Sequence, residues 1–109
     1  MRKREAMKKF DFDHVAICVS DIEKSVSFYV KNFNAETVYQ DETWAMLQIG
    51  SGKIALTLPQ QHPPHTAFSV SDESMLPKDV EIKSHRDGSK YVYLDDPDGN
   101  TVEIIYFPS

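Results

Sequence analysis

The sequence predicts an α+β fold made of two similar β-α-β-β-β modules. Three observations carry this. The phrase His-x-Ala-apolar-x-Val-Ser-Asp occurs at His14–Asp21 and again at His65–Asp72, with its histidines 51 residues apart. After the first copy the apolar spacing changes from alternation to a helical stripe, and then to three short strand-like runs. Each half also closes on a glycine turn followed by an apolar strand, so Lys53–Leu58 aligns with Thr101–Tyr106. A repeat in a short chain marks a duplicated structural unit.

Phe12 to Ser20 alternates and is β-branched, which predicts a strand. From Ser20 to Asn34, Ile22, Val26, Tyr29, Val30 and Phe33 make one helical stripe. Ser20 and Glu23 have capping-box spacing, and Asn34 suits a left-handed C-cap. Strands are then expected at Glu36–Gln40, Trp44–Ile49 and Lys53–Leu58, with turns at Asp41-Glu42 and Gly50-Ser51-Gly52. Gln60-Gln61-His62-Pro63-Pro64 is a stiff linker.

The second module repeats this order with a shortened helix. His65–Val70 is a strand, and Pro77 limits Asp72–Asp79 to a turn or a single helical turn. Val80–Lys83, Lys90–Leu94 and Thr101–Phe107 complete the strands, with Asp95 to Asn100 as a turn. The domain organisation is thus a basic, disordered tail over residues 1–9 and one domain over 10–109. That domain contains module one (12–59) and module two (64–108).

Charge narrows the function classes. The net charge is −5, yet Arg2, Lys3, Arg4, Lys8 and Lys9 crowd the first nine residues. The remainder carries 7 basic and 16 acidic side chains, so it offers no basic face for a nucleic acid. No apolar run approaches the roughly 20 residues that span a bilayer. The basic start runs into Phe10-Asp11-Phe12-Asp13 rather than into an apolar leader. One cysteine, Cys18, excludes an intrachain disulfide and fits a cytoplasmic location.

Strand alternation then locates the chemistry. His14, Ala16 and Cys18 share one face, and His65, Ala67 and Ser69 share another. Small neighbours beside each histidine leave a hollow, while Val15, Ile17 and Val19 are free to pack the helix. On the last strand Glu103 stands opposite Val102, Ile104 and Tyr106. A carboxylate within an apolar strand needs a partner or a metal. His14, His65 and Glu103 compose a 2-His-1-carboxylate set, which suits a divalent metal with open positions. His62 and His85 lie in loop or strand-end context and are not expected to be ligands.

These motifs, with Asp96-Pro97-Asp98-Gly99-Asn100-Thr101-Val102-Glu103, resemble the vicinal oxygen chelate superfamily over about Phe12 to Phe107. That superfamily contains the glyoxalase, bleomycin-resistance, fosfomycin-resistance and extradiol-dioxygenase groups. The resemblance implies eight strands in an open, barrel-like cavity around a divalent metal (Zn, Mn, Fe, Ni or Co). It implies His14, His65 and Glu103 as metal ligands, with Glu103 also the candidate catalytic carboxylate. The fourth ligand position of some members is Ala55 here, with Thr57 two residues on. This departs from the four-ligand pattern of glyoxalase I and methylmalonyl-CoA epimerase.

Trp44, Met46, Arg86, Tyr91 and Tyr93 are the candidate substrate-binding residues, and Gln48 shares the expected inward face of Trp44 and Met46. The resemblance further implies a homodimer and a small oxygenated metabolite as substrate. The chemistry would be of lyase, transferase or dioxygenase type. The alternative is a non-catalytic binding protein that sequesters a small molecule, as in the bleomycin-resistance branch.

Overall fold

The computed structural model describes residues 8–85 and 87–108. The strands are β1 (Phe10–Cys18), β2 (Glu36–Gln40), β3 (Trp44–Ile49), β4 (Gly52–Thr57), β5 (His65–Val70), β6 (Lys83–Ser84), β7 (Lys90–Asp95) and β8 (Thr101–Tyr106). One α-helix, α1 (Ile22–Phe33), follows β1, and a single 3-10 turn, Glu73–Met75, follows β5. The eight strands form a mixed sheet in the order β2-β3-β4-β1-β5-β8-β7-β6. The expected pair of β-α-β-β-β modules is therefore present, and the second module's helix is reduced to one turn.

By contacts the chain divides into two units: His14–Thr66, and the other described residues. In the first, β1 pairs parallel with β4, and β4 and β2 both pair antiparallel with β3. Registered partners project to the same side of a sheet. Ile17, Leu56 and Ala45 are in register, as are Val15, Ile54 and Leu47. Leu47, Leu56 and Ala45 are fully buried and pack with Ile22 and Val26 of α1, joined at the margin by Ile17, Val19, Tyr29 and Ile54. One side of this unit is thus an apolar helix–sheet core.

The cap of α1 differs by one residue from the expected capping box. Asp21, not Ser20, is the N-cap, and its Oδ1 accepts the Lys24 amide at 3.0 Å. Asp21 accounts for this because its carboxylate also favours the positive helix end. Asn34 adopts the left-handed conformation (φ 58°) and ends the helix as expected. The Asp41 turn is tied by its own carboxylate, which accepts the Thr43 and Trp44 amides and the Tyr39 hydroxyl.

In the other unit β7 pairs antiparallel with β6 and β8. The 3-10 turn starts at Asp72, whose Oδ1 accepts the Ser74 amide, and buries Leu76 just after it. The strand expected at Val80–Lys83 is corrected: only Lys83–Ser84 is extended and paired. The chain reaches β7's register only at these two residues, so the preceding segment has no ladder to join. The first strand begins earlier than expected, at Phe10. Phe12 meets Phe68 edge-on at 6.0 Å, and the Lys9 amide donates to Ser71 Oγ at 2.9 Å, so Lys9 at the end of the expected tail is held. Residues 1–7 of that tail lie outside the described residues.

Candidate metal centre

The side of the first unit opposite α1 carries the histidines. β1 alternates, so Ala16 and Cys18 share the face of His14. Ala16 is in register with Ala55, which faces Met46, and Cys18 with Thr57, which faces Trp44. His14, Ala16, Cys18, Ala55, Thr57, Trp44 and Met46 therefore stand together on one face. Trp44 and Met46 are half-buried and belong to this face rather than to the helix core. Trp44 stacks on Tyr39 with ring centroids 4.6 Å apart. Sequence reasoning missed Tyr39, although its place just across the Asp41 turn from Trp44 was a usable signal. Cys18 Sγ lies 3.9 Å from Thr57 Oγ1 and donates weakly to the His62 carbonyl at 3.7 Å.

His14 is 6% exposed and His65 8%. Their rings meet edge to face, with centroids 5.5 Å apart and planes at 71°. His65 Nδ1 lies 2.7 Å from the Pro63 carbonyl oxygen. A carbonyl only accepts, so Nδ1 carries a proton and donates it in this bond. A backbone carbonyl on one ring nitrogen is the arrangement that orients a histidine ligand and raises its basicity.

The other unit holds Glu103, 3% exposed, on β8. It is in register with Tyr93, and Tyr91 lies two residues along on the same face. The Tyr91 and Tyr93 rings meet edge-on at 5.4 Å. Burial, then the Glu103 charge, raises the phenol pKa of both tyrosines, and the nearby Tyr91 adds to the shift at Tyr93, whose phenol stands far above its ordinary value. Both hydroxyls therefore remain protonated donors at neutral pH.

His85 also belongs to this group, unforeseen from sequence. Its Nε2 is 3.4 Å from Glu103 Oε2, and its ring stacks on Tyr91 at 3.9 Å with an interplanar angle of 11°. His85 and Glu103 are 18 residues apart, and only the β6–β7–β8 register relates them. Arg86, a candidate for binding an anionic substrate group, lies outside the described residues.

The donor chemistry fits a divalent metal. His14 and His65 each offer an imidazole nitrogen, Glu103 offers a carboxylate oxygen, and all three are buried. No helix among the described residues is long and apolar enough to cross a membrane.

Comparison with known proteins gives a consistent family. The model of the Glyoxalase/Bleomycin resistance protein/Dioxygenase superfamily matches residues 11–104. The metallothiol transferase FosB of Lysinibacillus sphaericus is 29% identical over 112 residues, covering 84% of this chain and 79% of the relative. FosB of Staphylococcus epidermidis is 26% identical over 117 residues, covering 84% and 78%. Among solved structures, methylmalonyl-CoA epimerase from Mycobacterium tuberculosis superposes with a TM-score of 0.71 at 17% identity, covering 90% of this chain and 88% of that one. A hypothetical protein, BH1468, from Bacillus halodurans gives 0.72 at 20% identity, covering 93% and 96%. These two structures share the fold.

Proposed function

The chain belongs to the Glyoxalase/Bleomycin resistance protein/Dioxygenase superfamily, and we propose that it is a small metal-dependent enzyme acting on a small oxygenated metabolite. In this reading His14, His65 and Glu103 hold one divalent ion, which can be Zn, Mn, Fe, Ni or Co. The observation that carries the reading is the buried imidazole pair, whose rings meet edge to face at 5.5 Å, with His65 Nδ1 held 2.7 Å from the Pro63 carbonyl oxygen. The similarity to metallothiol transferases supports the same reading.

Two neutral imidazoles and one carboxylate leave a divalent site with net positive charge and open positions, which suits adjacent substrate oxygens. A bound metal would supply Lewis-acid stabilisation to an oxyanion or enolate. The chain's own residues would do the rest. Trp44 and Met46 present apolar surface on the His14 face, and Tyr91 and Tyr93 present aromatic surface beside Glu103. Ala55 removes the second carboxylate that a two-glutamate proton shuttle needs, so the reading excludes that form of isomerisation. The reading places the chain in the cytoplasm, and a lone cysteine that forms no intrachain disulfide is compatible with it. Pairing into a homodimer belongs to the same reading and is checked by light scattering.

The test is binding of acetohydroxamate, a small bidentate oxygen chelator, followed by calorimetry on the zinc-loaded chain. The reading expects binding that disappears when the metal is stripped. Binding that survives complete metal removal would instead favour the ligand-sequestering alternative.

A further inference from the structure

Glu103 is the one candidate ligand that is charged, and a buried carboxylate needs donors to fix its rotamer. His85 supplies one from a position that is itself braced. The β6–β7 pairing aligns Lys83 with Tyr91 and Ser84 with Lys90. Beyond it the His85 amide donates to the Ser89 carbonyl at 2.9 Å, and the Gly88 amide donates back to the His85 carbonyl at 3.0 Å. Asp87 Oδ1 accepts the Ser89 amide at 2.8 Å and tightens the same hairpin. Gly88 adopts φ 89°, a conformation that a side chain there would strain. This hairpin lays the imidazole flat on Tyr91 and turns Nε2 to Glu103.

We propose that His85 is a positioning residue for Glu103, and that Tyr91 acts through it by clamping the imidazole plane. The inference rests on Glu103 being a metal ligand, as proposed above. An Nε2–H donor to Oε2 would hold the carboxylate in one rotamer and so set how Glu103 could offer an oxygen to a metal. Outer partners of this kind orient ligands, and their loss costs about 10–100-fold in metal affinity.

The test is zinc affinity of the full chain, by competition with a chromophoric chelator, alongside the thermal midpoint of the metal-free protein. His85→Ala is expected to weaken zinc about 10–100-fold while leaving the metal-free midpoint near that of the parent. His85→Gln keeps a donor and is expected to recover much of the loss. Tyr91→Phe keeps the stack and is expected to bind like the parent, whereas Tyr91→Leu is expected to fall between the parent and His85→Ala. Affinity unchanged in His85→Ala, with zinc lost in Glu103→Ala, would overturn this inference and leave the metal site standing. Zinc binding absent from the parent chain, or undiminished in Glu103→Ala, would overturn the metal site and this inference together.

Discussion

The two modules start from the same sequence phrase and end in different structures. In the first, His14–Asp21 leads into the twelve-residue helix α1, which covers one sheet face and builds the apolar core. In the second, His65–Asp72 leads into a three-residue turn, and Leu76 is the buried residue that follows it. The difference teaches that the duplicated strand–cap phrase suffices to start a helix but not to continue one. Continuation needs the Ile22–Val26–Tyr29 stripe, and the second module has Pro77 where that stripe would run. The two contact units, whose boundary falls after Thr66 rather than between the modules, hold different side chains. The unit with the large core holds both imidazoles, while the unit without a long helix holds the carboxylate amid His85, Tyr91 and Tyr93.

The largest expected effect lies in the carboxylate half. Glu103→Ala is expected to reduce stoichiometric metal binding at least about 100-fold, since a ligand contributes more than its outer partners. His65→Ala is expected to do the same, which equilibrium dialysis checks. Metal kept in full by either variant would remove that residue from the ligand set.

Stability separates the modules next. Leu47→Ala and Leu56→Ala each delete a fully buried side chain beneath α1 and are expected to cost about 2–5 kcal/mol in urea unfolding. Leu76→Ala removes the buried residue that stands in for a second helix, and a loss toward the lower end of that range is expected. A larger loss at Leu76 than at Leu56 would reverse the ranking of the two cores. The caps sharpen the contrast: Asp21→Ala is expected to cost about 1 kcal/mol, while Asp72→Ala, which caps a single turn, is expected to shift the midpoint barely at all.

The smallest effects are in pH dependence. The Tyr39 hydroxyl, with the Thr43 and Trp44 amides, holds Asp41 well below its ordinary value of 3.8. Asp87 and Asp96 are lowered by their bonds to Ser89 and Asn100. A depressed carboxylate adds stability that is complete above the unfolded value and is lost as pH falls through the folded one. Stability is therefore expected to decline below about pH 4, and Asp41→Asn should flatten that decline. Raised phenols act oppositely: stability is complete below the ordinary 10.0 and is lost as pH rises toward the folded value of Tyr93. In the metal-free chain Tyr93→Phe should flatten the alkaline limb, and Asp41→Asn should leave it unchanged.

Much of the fold was legible because its signals are local. His65–Val70, Glu36–Gln40 and Trp44–Ile49 stand where alternation puts them, and Asn34 ends the helix. The choice between Ser20 and Asp21 as cap depends on which oxygen reaches the Lys24 amide, and adjacent capping residues hide that. The start of β1 at Phe10 rather than at Phe12 was not legible because β1 lies beside β5, far along the chain. Alternation also separated Trp44 and Met46 from the helix core. It could not find His85, whose approach to Glu103 is made by a hairpin and two strand registers rather than by spacing.

The most direct test of the central claim is metal content. Elemental mass spectrometry of the purified chain, after loading with divalent ions and desalting, should show one equivalent per chain. The same measurement on Glu103→Ala should show none. A parent chain that takes up no metal under any loading, or a Glu103→Ala variant that keeps a full equivalent, would contradict it.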